Sequence, residues 1–247
     1  AFLSGIVTTA VLQSSSVVSF ITLAFVGSGI ILLQNAFAVL LGANIGTAIS
    51  NFVIATLGFS MNIEVIWYPL LGTAGILLIA FENNKKIHQI CSFAIGFSFL
   101  FIALSFMKNG MLDSVKNFDL SAYASYPPVA FVVIGFIMTL LIQSSSATVA
   151  ITLSALYAKA ISFELAVAIV VGSELGTALK LLFGTAGGFP EKKRLAVGSI
   201  ILNLLTTVFA TIFLQPLIRL VTITLNVNDP LIGLVVFQTI INVLSAL

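Results

Sequence analysis

Along the 247-residue chain, polar positions are rare and clustered, and the apolar runs between them have the length of membrane helices. A helix that crosses a bilayer needs about 20 apolar residues. Breaks in the apolar pattern fall at 27–29, 60–64, 82–88, 108–128, 158–162, 185–194 and 216–230. The runs at 66–81, 87–107, 195–215 and 231–247 therefore predict ordinary spanning helices. Two more runs, 35–59 and 163–184, are long enough to cross. Each carries a glycine-bounded interruption, Gly42–Gly46 ("GANIG") and Gly172–Gly176 ("GSELG"), and each predicts a broken transmembrane helix. The pattern differs again at 1–28 and 127–158. There, pieces of about a dozen residues flank a polar tetrad, and a helix that short covers only about 18 Å. These pieces predict two re-entrant hairpins whose tips stop inside the hydrocarbon layer.

The tetrads are Gln13-Ser14-Ser15-Ser16 and Gln143-Ser144-Ser145-Ser146, and an ungapped shift of 130 residues superposes them. The same shift carries Ile21-Thr22-Leu23 onto Ile151-Thr152-Leu153, Gly42 onto Gly172, and Gly46-Thr47-Ala48 onto Gly176-Thr177-Ala178. Fifteen identities fall in the window 9–48, several at polar and glycine positions that chance apolar matching would not supply. The chain is an internal duplication: repeat 1 over 1–108, a linker loop over 109–126, and repeat 2 over 127–247. Three crossings separate the hairpins, so the second repeat is expected to be inverted relative to the first. The expected fold is an all-α membrane protein, an inverted-topology repeat with two re-entrant helical hairpins and two broken transmembrane helices. Broken segments at matching places of two halves point to a transporter's binding site. Apolar runs at both Ala1 and Leu247 suggest a core taken from a longer protein.

Composition sharpens this picture. The chain is 60% hydrophobic and only 7% charged, against about 25% charged in a soluble domain, so lipid is its solvent. A net charge of +2 is too small to imply nucleic acid as a partner. Cys91 is the single cysteine and cannot form an internal disulfide. Lys85, Lys86, Lys192, Lys193 and Arg194 gather on one side of the expected topology, against Lys108, Lys116, Lys159 and Arg219 on the other. The first side is therefore read as cytoplasmic, in a multi-pass protein of the plasma membrane, the inner membrane of a bacterium. Trp67 and Tyr68 read as an interfacial belt, His88 as a solvated loop residue, and Asn203 and Asn242 as interhelical hydrogen-bonding groups. No metal cluster and no nucleophile–base pair suggests an enzyme.

The tetrads carry the chemistry. Irregular backbone survives at membrane depth only inside protein or beside a wet cavity. A helix is expected to start after each tetrad, at Val17 and Ala147, with the last serine as N-cap and the free N–H groups of the first turn aimed at the tip. Two inverted copies would bring two helix N-termini and six hydroxyls towards one point, a seat for a small multi-oxygen anion. Neither tetrad contains a lysine or arginine, and neutral donors compensate poorly for desolvating an anion, so a cation is expected to bind with it. Oxygen-rich groups nearby suit a hard cation such as sodium, and mutual enhancement of the two affinities is the basis of symport.

The paired QSSS motifs, each followed about thirty residues on by the Gly-x-x-x-Gly-Thr block, resemble the type II sodium–phosphate cotransporter family. The resemblance runs from about Gly5 to the C-terminus. It implies a sodium-coupled importer of inorganic phosphate working by alternating access, with sodium as a co-transported ligand and no cofactor. Carried over residue by residue, Ser14, Ser15, Ser16, Ser144, Ser145 and Ser146 would contact phosphate. Gln13, Asn44, Thr47, Gln143 and Thr177 would serve sodium or hold the tips. Glu174 departs from the pattern, standing where repeat 1 has Asn44. An intramembrane carboxylate is a functional candidate, here as a sodium ligand, a proton carrier or a partner of Lys180. Another small oxyanion, proton coupling and an anion channel stay open as alternatives. A homodimer is left open too.

Overall fold

The computed structural model describes residues 1–60, 63–117, 126–185 and 189–246, and every element assigned among them is helical. The first expected hairpin is a helix–turn–helix, α1 (Phe2–Leu12) and α2 (Ser15–Gly27). It is followed by α3 (Leu33–Ser60), α4 (Ile63–Ala80) and α5 (Lys85–Asn117). The second is α6 (Pro128–Ile142) and α7 (Ser145–Tyr157), followed by α8 (Phe163–Leu179), a 3₁₀ stretch (Lys180–Thr185), α9 (Pro190–Ile212), α10 (Leu214–Arg219), a π turn (Leu220–Thr224) and α11 (Pro230–Leu244). Four stretches are long and apolar enough to cross a membrane: 33–59, 85–115, 163–185 and 190–212. The expected crossings at 66–81 and 231–247 correspond to shorter apolar helices.

The expectation of two broken helices is corrected. α3 runs without interruption through Gly42–Gly46, and α8 runs through Gly172–Gly176 and changes pitch only at Lys180. The glycines serve packing instead. A Cβ on Gly42 would stand 2.1 Å from the Phe2 carbonyl oxygen, and one on Gly5 2.1 Å from that of Val39. In repeat 2 a Cβ on Gly172 would meet the Val132 oxygen at 1.9 Å, and one on Gly135 the Ile169 oxygen at 2.0 Å. Each pair is the other displaced by 130 residues. Bare backbone therefore lets α1 lie on α3 and α6 on α8 at contact distance, the small-residue packing typical of membrane helices.

Three other expectations change. α5 continues to Asn117, into the span expected as linker, and most of the remaining linker lies outside the described residues. His88 is in the first turn of α5, not in a loop, and is exposed. Trp67 is buried between α4 and α5, stacked on Phe101 with centroids 4.4 Å apart and edge-on to Phe97. It is a packing residue rather than a belt anchor. The break expected from 216 comes earlier, at Phe213 between α9 and α10, three residues before Pro216, which has no N–H to donate to the preceding turn.

α8 is the best-shielded of the long helices, with 83% of its most apolar window buried. α6, α7, α9 and α11 pack around it. The larger core joins α5, α6, α7, α8 and α11 through residues such as Phe101, Leu153, Val167, Val170 and Phe237. A smaller one joins α2, α3 and α9 through Leu23, Leu40 and Leu195. The ends of the hairpins have distinct surroundings. Gly27, at the end of α2, lies against the Lys192 side chain at the start of α9. Tyr157, at the end of α7, lies under the Lys108 ammonium, 5.1 Å from ring centroid, and beside Phe59 of α3. Apolar side chains such as Leu3, Ile79 and Leu141 cover the outside, while a string of polar groups runs through the middle. That inversion of the soluble pattern is what a lipid solvent selects.

Candidate functional site

Each hairpin turns in two residues. Gln13 and Gln143 end α1 and α6 in the left-handed conformation, with φ of 53° and 63°. This is uncommon for a residue with a side chain. Their amides fold back on the helix they terminate, donating to the carbonyls of Ala10 and Leu140 at 2.6 Å, and both side chains are exposed. The N-cap is then the first serine, not the last. Ser14 accepts from the Val17 N–H at 3.3 Å and Ser144 from that of Ala147 at 3.2 Å. The helices accordingly begin at Ser15 and Ser145, two residues before the expected start. The free first-turn N–H groups are those at the second and third serines. Ser15 and Ser145 are buried and Ser16 and Ser146 half-buried, so these serines face protein.

What joins the tips is Lys180. Its ammonium donates to the hydroxyl of Ser16 in the first tip and to the carbonyl of Gln143 in the second at 3.4 Å. The two tetrads, 130 residues apart in the chain, thus meet around one buried positive charge. Lys180 sits at the C-cap of α8, where the partial negative charge of the helix end favours a cation.

A second polar string lies one turn and a half back along α8. Glu174 is buried and accepts from the Gln238 amide at 2.7 Å. The Gln238 carbonyl oxygen accepts from Asn51 at 2.8 Å, which links α8, α11 and α3. The Asn51 side-chain oxygen has no hydrogen-bond partner among the described residues. Asn242, expected to bond between helices, donates to the main-chain oxygen of Asn44 at 2.9 Å. Asn203 instead donates within α9, to Ser199. Thr47 and Thr177 donate to the carbonyls of Ala43 and Ser173 in their own helices, which leaves their oxygen lone pairs available.

The structure therefore brings Ser16 of the first tetrad and the Gln143 carbonyl of the second to Lys180, with the other serines of each tetrad next to them in the chain. It places Glu174 and Asn44 on a separate string through α11 and turns the Gln13 and Gln143 amides away from the tips. The sequence suggests Lys180 only as an ion-pair partner of Glu174; the two charges do reach one another, while the hydrogen bonds of Lys180 go to the tips. Gln238 and Asn51 were missed altogether. Their signal was the same as that of the tetrads, an amide in an apolar helix, but without a repeated neighbour to mark it.

An apolar exterior, a buried polar centre and two matching hairpins capped by serines define an integral membrane protein of transporter architecture. The model of the Na+/Pi-cotransporter family matches residues 1–109 and 116–239, and the chain belongs to that family. It is 28% identical over 250 residues to the protein YqeW of Bacillus subtilis, covering all of this chain and 78% of that one. It is 25% identical over 250 residues to a Salmonella typhimurium protein named "Putative inorganic phosphate export protein YjbB", covering 99% of this chain and 45% of that one. The Escherichia coli K12 protein of the same name is 24% identical over 230 residues, 92% of this chain and 40% of that one. The chain thus spans less than half the length of these two relatives. No solved structure matches it significantly.

Proposed function

We propose that the chain moves inorganic phosphate across the plasma membrane, coupled to sodium. The observation that carries this reading is the convergence of both serine tips on one buried ammonium. Membership of the Na+/Pi-cotransporter family and the naming of two relatives for phosphate supply the substrate. Phosphate would take the hydroxyls of Ser14, Ser15, Ser16, Ser144, Ser145 and Ser146 together with the first-turn N–H groups of α2 and α7. Sodium would be held by oxygens of Gln13, Asn44, Thr47, Gln143, Glu174 and Thr177, with no further cofactor. The Gln13 and Gln143 side chains would have to swing back to take part.

In this reading α1–α2 and α6–α7 are re-entrant hairpins entering from opposite faces. Two contacts support it. The end of α2 lies with the start of α9, whereas the end of α7 lies with the end of α3 and with Lys108. On the expected topology these are the two opposite faces. The positive-inside rule favours inward opening of the first hairpin.

Direction has two readings. A sodium gradient drives import, whereas the relatives named for export favour efflux. Purified protein in liposomes separates them, with labelled phosphate inside or outside, sodium exchanged for potassium and pH varied separately. Sodium-driven accumulation is the expected result. Flux that runs only down the phosphate gradient and ignores sodium would replace the symport reading with a channel. Ser15→Ala and Ser145→Ala should each cut the rate at least about tenfold, since a buried anion donor is removed, with the protein still monodisperse on gel filtration.

A further inference from the structure

We propose that the Lys180 ammonium is a fixed counter-charge for the anion seat between the hairpin tips, standing where an exchangeable cation would otherwise have to bind. The proposal rests on the reading of the tips as an oxyanion site.

Lys180 is 3% exposed, and a buried ammonium is costly unless it is paired. The charge of Glu174 reaches it, but among the described residues no carboxylate is in direct contact with it. Glu174, six residues earlier on α8, spends an oxygen on Gln238. An ammonium has three donors. Two go to the tips, to Ser16 and to Gln143, and among the described residues no group takes the third. A buried charge with a free donor, held between two serine-capped helix N-termini, has no anion in direct contact. Phosphate-type oxyanions supply what is missing. The 130-residue shift puts Ser50 at the equivalent place in repeat 1, where its hydroxyl bonds to the Gly46 carbonyl within α3. The positive charge therefore belongs to one half only. A cation site of a symmetric duplication would be filled twice from solution; here one is covalently present, and the anion needs correspondingly less sodium to bind.

The test is equilibrium binding of labelled phosphate to purified protein over a range of sodium, with choline as replacement, repeated with sulfate and arsenate. Wild-type affinity in sodium-free choline is expected to stay within about tenfold of its value in sodium. Lys180→Met should weaken binding in choline by at least about tenfold. The deficit should shrink as sodium rises, and Lys180→Arg should restore the wild-type profile. A purely structural peg would lower thermal stability without changing the sodium dependence. A Lys180→Met protein with wild-type affinity in choline, or with one uniform deficit at every sodium concentration, overturns the proposal. Should that variant not fold, the wild-type choline measurement decides: binding more than about tenfold weaker there overturns it. Sulfate binding with the same Lys180 dependence and no phosphate binding would overturn the phosphate reading and uphold the lysine. A wild type that takes no oxyanion would overturn both.

Discussion

At the scale of single residues, the two repeats differ most where buried polar atoms find or lack partners. Thr139 donates to Thr148 at 2.9 Å, tying α6 to α7. The residues at the same places in repeat 1 are Thr9 and Val18, and the Thr9 hydroxyl is buried with no partner among the described residues. Threonine and valine have the same shape, so exchanging them removes only the hydroxyl with its bonds, which for Thr148 include one donated to the Ser144 carbonyl at 3.2 Å. Thr148→Val should lower stability by about 1 kcal/mol, the scale of a side-chain bond between membrane helices. Val18→Thr should raise it by a similar amount, because it gives Thr9 the partner its twin already has. Thermal unfolding in a mild detergent reads both. Equal shifts of the same sign would mean that the hydroxyls report something other than this bond.

At the scale of elements, the two helix–turn–helix pairs were legible and the unbroken helices were not, for one physical reason. A four-residue polar tetrad in an apolar run has few structural uses, so Gln13 and Gln143 mark turns wherever they occur; only the cap was displaced, from the third serine to the first. A Gly-x-x-x-Gly pair has two uses, to break a helix or to let another helix touch it. Nothing local distinguishes Gly42 as a hinge from Gly42 as a seat for the Phe2 carbonyl, because the deciding atom belongs to α1. The same holds for Trp67, whose partners lie on α5, and for Lys180, whose ligands come from two hairpins. The packing role predicts a sharp contrast. Gly172→Ala would press a methyl on the Val132 carbonyl at 1.9 Å, backbone against backbone. Separation of α6 from α8 should then cost about 1–3 kcal/mol or more. Gly75→Ala in α4, with nothing within 4 Å of its added carbon, should be neutral or stabilising by up to about 1 kcal/mol. If Gly172→Ala melts at the wild-type temperature while transport is lost, flexibility rather than packing is what the glycine supplies.

At the scale of the whole molecule, the duplication makes a claim about sidedness that single helices cannot. Gly29 and Lys159 are equivalent under the 130-residue shift, and both adopt positive φ, 73° and 55°. The chain therefore leaves both hairpins by the same local turn. Equivalent turns in an inverted pair must open to opposite faces, whereas in a parallel pair they would open to the same one. Ser28 and Lys159 are exposed at these exits, and Asn83 and Asn228 are exposed between later helices. In a Cys91→Ser background, single cysteines at 28 and 83 should react with an impermeant maleimide from one side only, and those at 159 and 228 from the other. The contacts of Gly27 with Lys192 and of Tyr157 with Lys108 predict the same grouping. The cluster of Lys192, Lys193 and Arg194 predicts that the first group is the cytoplasmic one. Labelling of 28 and 159 from the same face would mean that the repeats are parallel. Their helix N-termini would then no longer oppose one another across a shared anion, and Lys180 would be a tether between two neighbouring turns rather than the charge at the centre of a transport site.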